Sequence, residues 1–215
     1  MRLLILILTL LIPSSAFCAL QDDNFNDNTL DTSFWQTGVS VCLIYERNGQ
    51  IEFVGSHGTS AQCNLYTLTT NDLSESDFSI DVKLMNSFNE IALWIVLTDP
   101  GTGNPYAQND WYRIMKYNSG GAADYYVQKK VSGSATTLAS GTWAANSGIL
   151  RITVSGGTIT FYENGTSRAS ETYALSSTNA YVVISARGST GQDEVDDFLG
   201  SSGGATARRR FLLVK

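Results

Sequence analysis

Apolar and polar residues alternate one for one along most of the chain. Phe78, Ile80, Val82 and Leu84 alternate with Ser79, Asp81, Lys83 and Met85, the period of a half-buried strand. Leu150, Ile152 and Val154 alternate with Arg151 and Thr153, and Ile159 and Phe161 with Thr158, Thr160 and Tyr162. The run 91–97 is apolar on both faces, which predicts a central strand or one with a special outer face. Further strands are predicted at 111–117, 125–131, 181–186 and 195–199. Asn48-Gly49, between 39–47 and 50–54, is a two-residue hairpin signal, and Asn164-Gly165 and Gly156-Gly157 act alike. Gly120-Gly121 and Gly133 mark further turns. No window holds a sustained helical period. The pattern predicts an all-β fold, an antiparallel two-sheet sandwich.

Composition narrows the classes. The 215 residues suit one domain, and 43% apolar content supports a core. Charged residues are only 16%, which argues against a charge-laced helical protein. The net charge is −6. Arg2, Arg208, Arg209, Arg210 and Lys215 lie at the chain ends, so the body is more acidic than the whole and nucleic-acid binding is not expected. The single histidine, His57, sits in a loop-like Gly-Ser-His-Gly stretch. No zinc spacing, phosphate loop or Gly-x-Ser-x-Gly elbow is present.

Residues 1–19 read as a secretory signal peptide: Arg2, a short apolar run, then Pro13 and small residues. Cleavage sites are open after Ala16, Cys18 or Ala19. A lipoprotein anchor at Cys18 is disfavoured by the large Phe17 before it. Residues 20–200 form the sandwich. Residues 201–215 are a Gly/Ser linker and a basic tail, read as solvated, with an anionic surface as the alternative partner. No transmembrane segment follows the leader. In an exported chain, Cys42 and Cys63 suggest a disulfide, with two buried free thiols as the alternative.

The opening Asp22-Asp23-Asn24-Phe25-Asn26-Asp27, then Leu30-Asp31, Trp35, Asn48-Gly49-Gln50, Ala92-Leu93-Trp94 and the closing Val195-Asp196-Asp197-Phe198 resemble concanavalin A-like lectin/glucanase sandwiches. The nearest branch is that of the laminarinases and lichenases. The resemblance covers about residues 22–200 and rests on the order of these motifs. It implies a jelly roll whose concave face carries a glycan groove. It also implies a structural Ca²⁺ held by Asp22 or Asp23, the Gly49 carbonyl and Asp196, oxygen donors that suit calcium. The glucanase branch places Glu-x-Asp-x-x-Glu on the strand after the tryptophan strand. Here that place reads Asp110-Trp111-Tyr112-Arg113-Ile114-Met115, with one acid and no glutamate, whereas glycoside hydrolysis generally needs two carboxyls.

Sugars offer apolar ring faces and many hydroxyls, which aromatic platforms and planar polar groups recognise. With Ile91, Leu93, Ile95 and Leu97 facing the core, Trp94 points to the opposite face. Trp94, Trp111 and Arg113 are therefore the expected groove, with Tyr106 at its rim and Tyr126 beside them. Trp35 and Trp143 are read as structural. The expected function is an exported, non-catalytic, lectin-like domain that binds glycan or a surface polymer. Two alternatives stand beside it. One is an interaction module of an envelope or virion assembly. The other is a diverged glycosidase or lyase using Asp110 with Arg113, Tyr112 or Tyr126.

Overall fold

The computed structural model describes residues 20, 22–38, 42–54, 63–83, 90–101, 103–118, 123–143, 147–188 and 192–201. The expected leader, Cys18, His57 and the basic tail lie outside them. Among the described residues there are fifteen strands. They are β1 (Trp35–Gly38), β2 (Leu43–Arg47), β3 (Gln50–Val54), β4 (Cys63–Thr67), β5 (Asn71–Asp72), β6 (Ser76–Lys83), β7 (Glu90–Val96) and β8 (Trp111–Asn118). There follow β9 (Ala123–Val131), β10 (Ser134–Trp143), β11 (Ser147–Ser155), β12 (Thr158–Glu163), β13 (Thr166–Thr172), β14 (Asn179–Arg187) and β15 (Gln192–Ser201).

The chain folds as an antiparallel two-sheet jelly roll. One sheet has the order β1-β4-β14-β7-β8-β9-β10, with β5 added on β14. The other has the order β13-β12-β11-β6-β15-β3-β2. The predicted hairpins close where expected. Asn48 (φ 56°) and Gly49 (φ 77°) both take the left-handed conformation, as do Asn164 and Gly165. Such turns match the twist of paired strands, and Asn-Gly reaches them with little strain. Asn164 also accepts the Ile149 amide at 2.8 Å, so its role here is that of a turn residue.

The principal core lies between the sheets. Phe78, Ile80 and Val82 of β6, Ile152 and Val154 of β11, and Val195 and Phe198 of β15 meet Ile91, Leu93 and Ile95 of β7, Ile114 of β8 and Val182 and Ile184 of β14. Each such side chain contributes about 1.5–3 kcal/mol on leaving water. Trp35 and Trp143 belong to this core. The Trp35 indole donates to Asp23 Oδ2 at 2.9 Å. A disulfide joins Cys42, just before β2, to Cys63 at the head of β4, and so ties the two sheets together. Closing a loop of this length contributes about 3 kcal/mol through the unfolded chain.

Strands β1, β4, β10 and β13 were not individually legible from periodicity. β10 and β13 are polar sheet edges with little apolar alternation, and β1 and β4 are too short to show it. β7 is central, between β14 and β8, as its apolar run predicts.

The side chain of Lys116 points inward despite its charge. Lys116 of β8 shares its face with Tyr112 and Ile114 and is fully buried. Its ammonium stands 4.0 Å from the centre of the Trp143 ring. Burial pushes its pKa down to about 8, against the opposing pull of Glu163. Below pH 8 the charge is present in both folded and unfolded chains, and its burial cost is fully felt. As pH rises from 8 towards 10.5 the folded chain sheds the proton first, so stability rises. Urea unfolding should show stability increasing between pH 8 and 10, and Lys116→Met should be more stable at pH 7 and lose that slope. A slope that survives in the variant would assign it elsewhere.

Candidate functional site

The outer face of the eight-stranded sheet carries a second apolar cluster, separate from the core between the sheets. It holds Tyr66 of β4, Ala92, Trp94 and Val96 of β7, Trp111 and Met115 of β8, and Val183 of β14. Tyr117, Tyr126 and Tyr181 pack against it. Strict alternation builds this face. On β7 the odd members Ile91, Leu93 and Ile95 go inward, and Ala92, Trp94 and Val96 go outward.

Register sets out the face in rows. One row runs Val183, Trp94, Arg113, Gln128 and Thr137 across β14, β7, β8, β9 and β10. Another runs Arg187, Glu90, Tyr117, Asp124 and Thr142. Trp94, Trp111, Arg113 and Tyr126 therefore share one face, and Tyr106 reaches it from the loop before β8. Tyr112 and Asp110 do not join them. The Tyr112 hydroxyl accepts the Ala174 amide within the interlayer side, and Asp110 Oδ1 accepts the Ser132 amide at the strand end.

Arg113 is the hub. Its guanidinium sits 4.7 Å from the centre of the Trp94 ring, 5.1 Å from Tyr106 and 5.6 Å from Trp111. The Trp94 and Trp111 rings meet edge to face at 5.3 Å. Arg113 Nη1 donates to Glu90 Oε1 at 3.1 Å, and Nε and Nη2 donate to Gln128 Oε1 at 2.9 and 2.5 Å. Glu90 Oε2 accepts Arg187 Nη2 at 2.6 Å. Two guanidiniums thus share one buried carboxylate. Burial lowers the Arg113 pKa, Glu90 raises it, and Arg187 lowers it again. The Trp94 indole donates to Ser185 Oγ at 2.7 Å. Glu90, Gln128 and Ser185 escaped sequence reasoning because their partners come from three other strands.

The loop between β7 and β8 crosses this face as a strap. At one end, Gly101 O lies so close to Gly38 of β1 that a Cβ there would meet it at 1.7 Å. Asn64 Nδ2 of β4 donates to Gly103 O at 2.7 Å. Burial, with Asp99 next to it, pushes the Tyr66 phenol up to about 12. Pro105–Ala107 forms one 3-10 turn, started by Asn104 Oδ1 accepting the Tyr106 amide. The Tyr106 ring lies 5.2 Å from Trp111, and Lys130 Nζ of β9 donates to Tyr106 O at 3.2 Å. Tyr106 stays 42% exposed while Trp94 and Trp111 are fully covered. A shallow recess of about 280 Å³ lies on the other sheet, lined by Asp81, Lys83, Ile149, Glu194 and Asp196.

The positions expected to hold calcium lie on or beside β15 and β3 of the seven-stranded sheet. Asp23 bridges Phe198 of β15, and Asp22 Oδ1 accepts the Gly200 amide. The Asn48-Gly49 turn joins β2 to β3, which pairs with β15. Asp196 Oδ1 accepts the Asp197 amide. Burial, then Asp27 and Asp23, raises the pKa of nearby Glu46, whose Oε1 is buried without a hydrogen bond. These are hard oxygen donors of the class calcium takes. Among the described residues no three His, Cys, Asp or Glu side chains converge as a metal cluster.

Glu90→Gln should be costly, because it leaves two buried or half-buried guanidiniums facing each other. Urea unfolding should show a loss of about 3–5 kcal/mol. A loss below about 1 kcal/mol would show that the cluster is not held by that carboxylate.

No protein-family model matches the sequence, and no curated protein matches it. Solved structures do match in fold. The β-glucanase of Bacillus licheniformis aligns with TM-score 0.62 and 9% identity over 86% of this chain and 98% of that one. The laminarinase catalytic domain of Thermotoga petrophila aligns with TM-score 0.64 and 9% identity over 87% and 98%. The laminarinase of Rhodothermus marinus aligns with TM-score 0.63 and 10% identity over 85% and 96%. The chain thus shares the jelly-roll fold of these glucanases, across nearly their whole length.

Proposed function

We propose that the chain is an exported, non-catalytic, lectin-like domain that binds glycan on the outer face of its eight-stranded sheet. The observation that carries this reading is the Trp94–Arg113–Trp111 cluster. It stands on that face, and the outward positions of β8 are Trp111, Arg113, Met115 and Tyr117 rather than carboxylates. Indole faces stack on the apolar faces of sugar rings, and planar polar groups meet hydroxyls. The glucanase fold supports a carbohydrate ligand by analogy alone.

A second reading has its own observation. Glu90 and Asp124 lie in one row two strands apart, about 10 Å between backbones at the usual strand spacing. Inverting glycosidases separate their carboxyls by about 6.5–9.5 Å. Glu90, however, is sealed and shared by two arginines, which leaves it poorly placed to meet water. Calcium at Asp22, Gly49 and Asp196 is a subsidiary proposal, and an unchanged melting temperature on adding Ca²⁺ to stripped protein would dismiss it.

Isothermal titration with laminarin and lichenan oligosaccharides should show binding, weakened about tenfold in Trp111→Phe, or about 1.4 kcal/mol. No heat at millimolar sugar, with self-association of the mature chain, would favour the assembly-module alternative. Reducing ends released from laminarin, and lost in an Asp124→Asn variant whose urea unfolding is unchanged, would establish the hydrolytic reading instead.

A further inference from the structure

The strap conceals the face it crosses, and the concealment is imperfect in one respect. Three buried polar atoms under or within it have no hydrogen-bond partner: Asn64 Oδ1, Gln108 Oε1 and Trp111 Nε1. Asn64 and Trp111 are fully buried. A closed protein surface normally pairs such atoms, and an unpaired one weakens the state that buries it. The strap thus leaves polar atoms in its seat that it does not itself pair.

The middle of the strap, residues 103–108, is joined to the sheet by few bonds. Its own bonds are local: Gly103 N to Pro100 O, Ala107 N to Asn104 O and Gln108 N to Pro105 O. Residues 103–108 rest on the sheet through the Asn64 side chain, the Tyr106 ring on Trp111 and Arg113, and the Lys130 bond to Tyr106 O, while the far end of the strap is pinned by Gly133 N to Asn109 O and Ser132 N to Asp110 Oδ1. The Tyr106 ring, lying on Trp111 and beside the Arg113 guanidinium, occupies the position a pyranose ring would take on such a platform.

We propose that residues 103–108 are a displaceable cover, and that Tyr106 must leave Trp111 before a sugar can reach the Trp94–Trp111 slot. This rests on the glycan-binding reading and adds its regulation. The bare atoms also specify the ligand. Gln108 leaves with the cover, but Asn64 Oδ1, an acceptor, and Trp111 Nε1, a donor, stay on the sheet, a pair that hydroxyls satisfy because they donate and accept. A sulfate or carboxylate cannot donate to Asn64, and each Arg113 nitrogen is already engaged by Glu90 or Gln128. The occupant is therefore a neutral sugar ring. Its apparent affinity is reduced by the fraction of time the cover is shut.

Two substitutions loosen the cover without touching the slot. Gly101→Ala places a side chain at φ +48° with open space around it, so only the strap's backbone is strained. Gly38→Ala drives a Cβ into Gly101 O from β1. The first should raise the open fraction about fivefold or more. Exchange of the Trp94 and Trp111 indole N–H groups, followed by NMR, reads this opening without any sugar. Trp35 and Trp143, in the interlayer core, serve as internal references. Both variants should speed exchange at Trp94 and Trp111 alone, and tighten laminarihexaose binding by a similar factor. If either variant fails to fold, the other decides. Unchanged indole exchange in a folded variant, or a freely exchanging Trp111 in the unaltered chain, overturns the cover. Faster exchange without any sugar binding keeps the cover and sinks the glycan reading. Binding with unchanged exchange and affinity does the reverse.

Discussion

A strand that is apolar on both faces cannot leave either face in water. β7 is such a strand, with every residue from Glu90 to Val96 buried. The opposite sheet covers Ile91, Leu93 and Ile95. Nothing in the sandwich itself can cover Ala92, Trp94 and Val96, because they point away from it. The cost of exposing two indoles there is several kcal/mol, and the connection from β7 to β8 removes it by folding back across the sheet. Glycine at 38, the side chain of Asn64 and the turn at Pro105 all serve that one requirement.

The same face concentrates charge in an unusual way. Arg113 is placed among aromatic rings, where a guanidinium is favoured by the ring faces but must be neutralised if buried. Glu90 supplies the negative charge, Gln128 accepts from two further nitrogens, and Arg187 closes the cluster from β14. Such a network fixes side-chain directions more than it adds stability. It holds Arg113 against Trp94 as a rigid floor, and so distinguishes a prepared surface from a collapsed one.

Much of this was legible in the residues, and the boundary is instructive. The sandwich, its main hairpins, the inward set on β7 and the outward direction of Trp94 follow from a period of two, which depends only on local backbone geometry. The Glu90 partners do not follow, since Arg187, Arg113 and Gln128 become neighbours through pairing of strands far apart in sequence. Lys116 shows the limit of pattern reading most plainly. Its polarity predicts an outward side chain, but alternation within β8 sends it inward beside Trp143. The strap was legible only as a loop rich in Asn, Gly and Pro. That it lies over the tryptophans rather than beside them depends on a glycine at 38 and an asparagine at 64, which carry no local signal.

The link between Cys42 and Cys63 has a consequence for how this chain survives outside its native state. Among the described residues β2 is a sheet edge, and it displays Leu43 and Tyr45, both exposed. Such an edge invites pairing with another molecule. The bridge anchors the residue just before that edge to the opposite sheet. In an oxidising compartment the hairpin is held down from the moment the bond forms. In a reducing one the same edge would be left to peel away, and aggregation would compete with folding.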